Sequence, residues 1–147
     1  MFQKKINVMG VANDNEFEFQ KKFTLAERQL KYQNVINAVG EQKALVVVEK
    51  HKKSNIQSNT QVQQPWKIFA IDKTKNLAEF LHCIKLNAAI NKQTSIFLYC
   101  NNTLLMLRGM LQLYLDDQTV GQIFDSQKNK EDNILYIKYS DFETFGF

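Results

Sequence analysis

Residues 134–139, Ile-Leu-Tyr-Ile-Lys-Tyr, carry apolar or aromatic side chains at both odd and even positions. Successive strand residues point to opposite faces of a sheet, so a strand apolar at both parities suits a central place with cover on both sides. The rest of the chain must then supply neighbouring strands and two covers. Leu77, Phe80, Leu81, Ile84 and Ala88 recur at helical spacing and predict the clearest helix of the chain. Leu25, Arg28, Tyr32, Val35, Ile36 and Val39 predict a second amphipathic helix, which Gly40 is placed to end.

Leu45–Val48, Trp66–Ile71 and Ile96–Cys100 read as the remaining strands, the last ending at an Asn101-Asn102 turn. Thr103–Leu115 is expected to be helical with an interruption at Gly109. Residues 52–65, polar and closed by the single proline, are expected to form a long loop, and residues 116–132 a mobile polar insertion. Residues 1–22 show no clear period and are assigned to an N-terminal extension with room for a short helix. Residues 23–147 form the domain proper and end in a flexible tail from Ser140. The order strand, strand, helix, strand, helix, strand predicts an α+β roll: one sheet wrapped around a helix, with the N-terminal helix as second cover.

A chain of 147 residues fits one domain with a core that needs no disulfide or metal staple. A net charge of +4 favours weak contact with anionic membranes or acidic peptides. It lacks the clustering of a nucleic-acid binder, and the aromatic residues lie in strands rather than between exposed lysines and arginines. No apolar run reaches the ~18 residues of a membrane span. Cys83 and Cys100 sit in apolar patterns and read as reduced core thiols of a cytosolic protein.

Catalysis finds no support in the residues. His82 and Cys83 are neighbours on a predicted helix and point ~100° apart, so they cannot act as base and nucleophile. His51 is remote, no Cys/His spacing suits zinc, and no phosphate-binding glycine motif occurs among five glycines. No enzyme activity, cofactor or metal is expected. The ending Phe-Glu-Thr-Phe-Gly-Phe (142–147) is different. A near-terminal glycine without Cβ is an unhindered acyl group that narrow active sites can admit.

The segments SIFLYCNNTL, LQLY and EDNILYIKYSDFETFGF together resemble the autophagy ubiquitin-like modifier family, which includes the light-chain and GABA-receptor-associated proteins. The matching features are Asn101-Asn102, Leu135-Tyr136, Tyr139-Ser140 and Phe145-Gly146-Phe147, with VVVEK (46–50) and LAEFLHCIK (77–85) upstream. The resemblance spans about residues 25–147 and is strongest after Ser95. It implies a ubiquitin-like β-grasp fold with two N-terminal helices in a monomer. It also implies a cycle in which a cysteine protease cuts between Gly146 and Phe147, and activating and conjugating enzymes pass the Gly146 carboxylate to phosphatidylethanolamine. The protein would then be cytoplasmic before lipidation and on autophagosomal membrane after it. Phe147 speaks for the lipid-conjugated branch, because a sister modifier that goes onto protein lysines ends in a bare glycine.

The same resemblance implies a groove for short aromatic-x-x-aliphatic peptides of cargo receptors, which add a strand along Lys67–Ile71. Its aromatic pocket would use Val35, Val47, Ile68, Ala70 and Ile134, and its aliphatic pocket Phe69, Ile71, Phe80, Cys83 and Ile84. Lys43 and Lys67 would meet acidic residues of the peptide. Trp66 and Ile68 stand where the family carries basic residues, and Lys75 where it carries an aliphatic one. The family's Pro-Pro after the Asn-Asn turn is absent. The alternative reading is a β-grasp peptide-binding domain that is never conjugated.

Overall fold

The computed structural model of the chain describes residues 16–56, 65–105 and 118–141. Two helices lead, α1 (Glu18–Lys22) and α2 (Leu25–Val39), followed by strands β1 (Lys43–Lys50) and β2 (Trp66–Asp72). Helix α3 (Leu77–Asn87), strands β3 (Phe97–Cys100) and β4 (Thr103–Leu104), helix α4 (Val120–Gln127) and strand β5 (Leu135–Ser140) complete the order. The five strands form one mixed sheet in the order β2-β1-β5-β3-β4. β5 pairs parallel to β1, from Val46↔Leu135 to Lys50↔Tyr139, and antiparallel to β3. The doubly apolar strand thus lies in the middle of the sheet, as its sequence predicts.

Its two faces feed two cores. Val46, Val48, Leu135 and Ile137 pack with Leu77, Phe80 and Ile84 of α3 and with Val120, Ile123 and Phe124 of α4. On the other face Leu45, Val47, Ile134 and Tyr136 pack with Phe17, Phe19 and Trp66. Phe19 is fully buried, and its ring meets Trp66 nearly edge-on at 5.6 Å. Burying a phenylalanine contributes on the order of 2–3 kcal/mol, so α1 is fastened to the sheet although it has only five residues. Residues 16–22, the described part of the sequence assigned to an extension, therefore belong to the same packed body.

Capping fixes the helix starts. Thr24 opens α2, Asn76 opens α3 and Thr119 opens α4, each by a reciprocal box with the Glu or Gln three residues on. The last of these corrects the expectation of a mobile insertion at 116–132. Val120, Ile123 and Phe124 stand at i, i+3 and i+4, and all three are buried. Three apolar residues on one helix turn outweigh the polar average of the segment. The expected helix at Thr103–Leu115 is also corrected at its start, where Thr103 and Leu104 pair with β3 as β4. Asn101 and Asn102, both at positive φ, make the two-residue turn that brings them together. The remainder of that stretch, 106–115, lies outside the described residues.

Candidate functional site

Among the described residues β2 pairs with β1 alone and leaves the sheet open on its other side. Lys73 donates its backbone N–H to Gln42 O at 2.9 Å, continuing the ladder that pairs Lys43 with Asp72. Backbone direction alternates along an antiparallel strand, so Lys67, Phe69 and Ile71 turn their amides toward β1. Ile68 and Ala70 turn theirs outward. Within Lys67–Ile71 the open edge therefore offers two outward N–H and two outward C=O groups to an added strand.

Side chains alternate across the same edge. Ile68 and Ala70 are exposed on the α2 side, Ile68 to 46%. Lys67, Phe69 and Ile71 lie on the α3 side, where the Phe69 ring meets Phe80 edge-on at 5.7 Å. A shallow depression on α3 and the turn before it is lined by Lys75, Ala78, His82 and Cys83 among others.

The expected groove residues divide by depth. Val47, Ile134, Phe80, Ile84 and Ile71 are buried in the two cores and can act only as floor. Val35, Lys67, Phe69 and Cys83 are half-buried, and Ile68 and Ala70 are exposed. Lys43 is half-buried and paired with Asp72 at 3.5 Å, so its charge is already met within the protein. Cys83 is thus a free, half-buried thiol beside the depression rather than a core residue, whereas Cys100 is buried. Burial pushes the Cys100 thiol up to about 12, which leaves it protonated and inert.

Sequence reasoning missed Tyr32 and Ile36, which hold α2 over this part of the sheet. Ile36 is the buried residue of α2, and Tyr32 touches both cores. Their signal was present in the i, i+3, i+4 pattern Tyr32, Val35, Ile36, but the expected pocket took only the middle member. Trp66 was read as a departure at the groove. It is instead buried beneath α1, between the rings of Phe19 and Phe23.

The second candidate element is the root of the C-terminal arm. His51 N–H donates to Tyr139 O at 2.8 Å, and Ser54 Oγ donates to Asp141 Oδ1 at 3.1 Å. Ser140 is fully buried. The segment that carries the arm is therefore anchored to the loop after β1; Gly146 and Phe147 lie outside the described residues. Among the described residues no cluster of His, Cys, Asp and Glu could hold a metal ion, and no helix is long and apolar enough to cross a membrane.

Comparison with known proteins agrees with this arrangement. A sequence model of the family described as "Autophagy protein Atg8 ubiquitin like" matches residues 27–146. The chain is 25% identical over 128 residues to "Autophagy-related protein 8D" of Oryza sativa subsp. japonica, across 87% of this chain and 96% of the relative. Its fold superposes on the crystal structure of Trypanosoma brucei ATG8 with a TM-score of 0.70 at 19% identity, over 89% of this chain and 99% of the other. The likeness establishes an α+β ubiquitin-like fold with added N-terminal helices.

Proposed function

The chain belongs to the Atg8 family of ubiquitin-like autophagy proteins, and from that premise we propose that it is a lipid-conjugated modifier processed after Gly146. The observation that carries this reading is that the family match runs to Gly146 and stops one residue short of Phe147. A cysteine protease hydrolyses the Gly146–Phe147 bond and frees the glycine carboxylate. ATP-driven adenylation and thioester transfer on partner enzymes then let the ethanolamine amine of phosphatidylethanolamine attack the acyl carbon, releasing the enzyme thiol and forming an amide. This chain supplies no catalytic group; it supplies an acyl donor on an anchored root. One acyl chain holds a protein to a bilayer only marginally, with about 0.8 kcal/mol per buried CH₂, so a two-chain lipid is what moves a cytoplasmic protein to the autophagosomal membrane.

The second activity in this reading is capture of cargo receptors by strand addition at β2. An extended peptide takes the outward amides of Ile68 and Ala70, with its aromatic anchor against the α2 side and its aliphatic anchor against Phe69 and Cys83. Incubation with the processing protease and weighing of the product tests the conjugation reading: loss of one phenylalanine is expected, and an unchanged mass overturns it. In cells, Gly146→Ala should empty the membrane-bound pool. A pool that survives the substitution supports the alternative, a β-grasp peptide-binding domain that is never conjugated.

A further inference from the structure

The chain after β1 does not leave the body at once. His51, Ser54 and Ile56 are buried, whereas Lys52, Lys53 and Asn55 between them are exposed. Ile56 joins the core that includes Phe80 and Ile84 of α3. Ser54 N–H donates to His51 O at 3.0 Å, Lys53 N–H to His51 Nδ1 at 3.1 Å, and Lys50 Nζ to Ser54 O at 3.2 Å. The Ser54 hydroxyl accepts the Ile56 N–H at 3.2 Å and donates to Asp141. Residues 51–56 are thus a fixed post beside the end of β5. Sheet pairing with β3 runs to Ser140, opposite Phe97, and the Ser54 contact comes one residue further out. Gly146 follows Asp141 by five residues, so at full extension it lies within about 17 Å of that point.

We propose that Ser54 and Asp141 are positioning residues for the processing and acyl transfer at Gly146. The inference rests on the modifier reading above and adds how this chain aims its arm. A partner enzyme that docks on the body must also receive Gly146 in its active site. With the root held at Asp141, the arm starts from one place in one direction, and fewer conformations are lost on insertion. Without the Ser54 contact Asp141 turns freely, and a smaller share of docked complexes has Gly146 in place. Docking on the body is unchanged, so the loss falls on kcat rather than on KM. Each residue acts through the direction of the arm and not on the scissile bond.

Steady-state cleavage of the full chain by the processing protease, followed by mass, tests this. Asp141→Ala is the leading variant, because Asp141 is exposed and outside the core, and urea unfolding checks that its midpoint stays near the parent's. It should lower kcat about fivefold at unchanged KM. Asp141→Asn keeps an acceptor at Oδ1 and should restore the parent kcat. Ser54→Ala should match Asp141→Ala, and the two together should be no slower than either alone. A parent rate in Asp141→Ala overturns the positioning role while leaving the modifier reading in place. A slow Asp141→Ala beside a Ser54→Ala at the parent rate does the same, since the protease then reads the carboxylate itself. A parent chain that keeps its full mass overturns the modifier reading and this inference with it.

Discussion

Asp132 and Arg28, 104 residues apart, meet as a buried ion pair with Oδ2 2.7 Å from Nη1. The Asp132 side chain is fully buried and that of Arg28 is 12% exposed. The same Oδ2 accepts the Tyr136 hydroxyl at 2.6 Å, and Oδ1 accepts the Ile134 amide at 2.9 Å. Burial first, and then this carboxylate, push the Tyr136 phenol far above its ordinary range, so it remains a donor. The cluster ties the first turns of α2 to the lead-in of β5, and α2 is the wall of the proposed groove. Asp132→Asn leaves Arg28 with a buried charge and no counterion, which should cost about 3 kcal/mol in urea unfolding. A loss below about 1 kcal/mol would mean that water already reaches the pair.

Glu49 performs a comparable task for α1. Its carboxylate accepts the backbone N–H of Glu18 at 3.0 Å and of Phe19 at 2.9 Å. Lys138 lies close enough to favour its charge, and Glu18 opposes it. Burial outweighs the hydrogen bonds and raises the Glu49 carboxyl above its ordinary 4.5. The native state therefore holds this proton more tightly than the unfolded chain, and stability falls as pH rises from 4.5 through the raised value. Glu49→Gln should flatten that part of the profile. Urea midpoints for both proteins, taken at steps from about pH 4 to pH 7, give the comparison. An unchanged difference between the two proteins across that range would show that Glu49 does not titrate there.

The central strand, both covering helices and the Asn101-Asn102 turn were legible because each repeats one signal over several residues. Residues 134–139 alternate apolar side chains on both faces, and α3 keeps Leu77, Phe80 and Ile84 on one side. Helix α4 was not read, since its apolar residues occupy barely one turn between Asp116-Asp117 and Lys128–Asp132. The Thr119/Gln122 capping box was its local mark. The α1 contribution was hidden for another reason. Phe17 and Phe19 alternate like strand residues in a short charged stretch, and the core that receives them is built mostly by distant residues, Trp66 and Tyr136 among them. Lys43 was expected to be available to a peptide, and nothing in its local sequence announces Asp72 as a cross-strand partner.

Gly121 shows how tightly α4 meets the turn after β2. Its N–H donates to Lys73 O at 2.9 Å, and the next contact along is Val120 N–H to Lys75 O at 2.8 Å. A Cβ at position 121 would stand 2.9 Å from Lys73 Cβ and 3.0 Å from its carbonyl oxygen, which is backbone and cannot swing away. Alanine usually favours a helix, but here the contact decides the sign. Gly121→Ala should destabilise by roughly 1–3 kcal/mol, read as a lower urea midpoint with an unchanged slope. A gain in stability would show that the α4 junction has slack.

Backbone direction along β2 separates strand addition from simple pocket filling. Ala70 turns its N–H to the open edge, whereas Ile71 turns its N–H to β1. Proline at position 70 removes an outward donor and no ladder bond, and Phe69 before it is already extended, as a residue preceding proline must be. Ala70→Pro should therefore fold with at most about 1 kcal/mol of loss, yet weaken a receptor peptide by roughly tenfold. Ile71→Pro removes a ladder bond and should unfold the edge, as a control for direction. If Ala70→Pro binds the peptide as well as the parent does, main-chain pairing at that position contributes nothing and the groove works through its pockets alone.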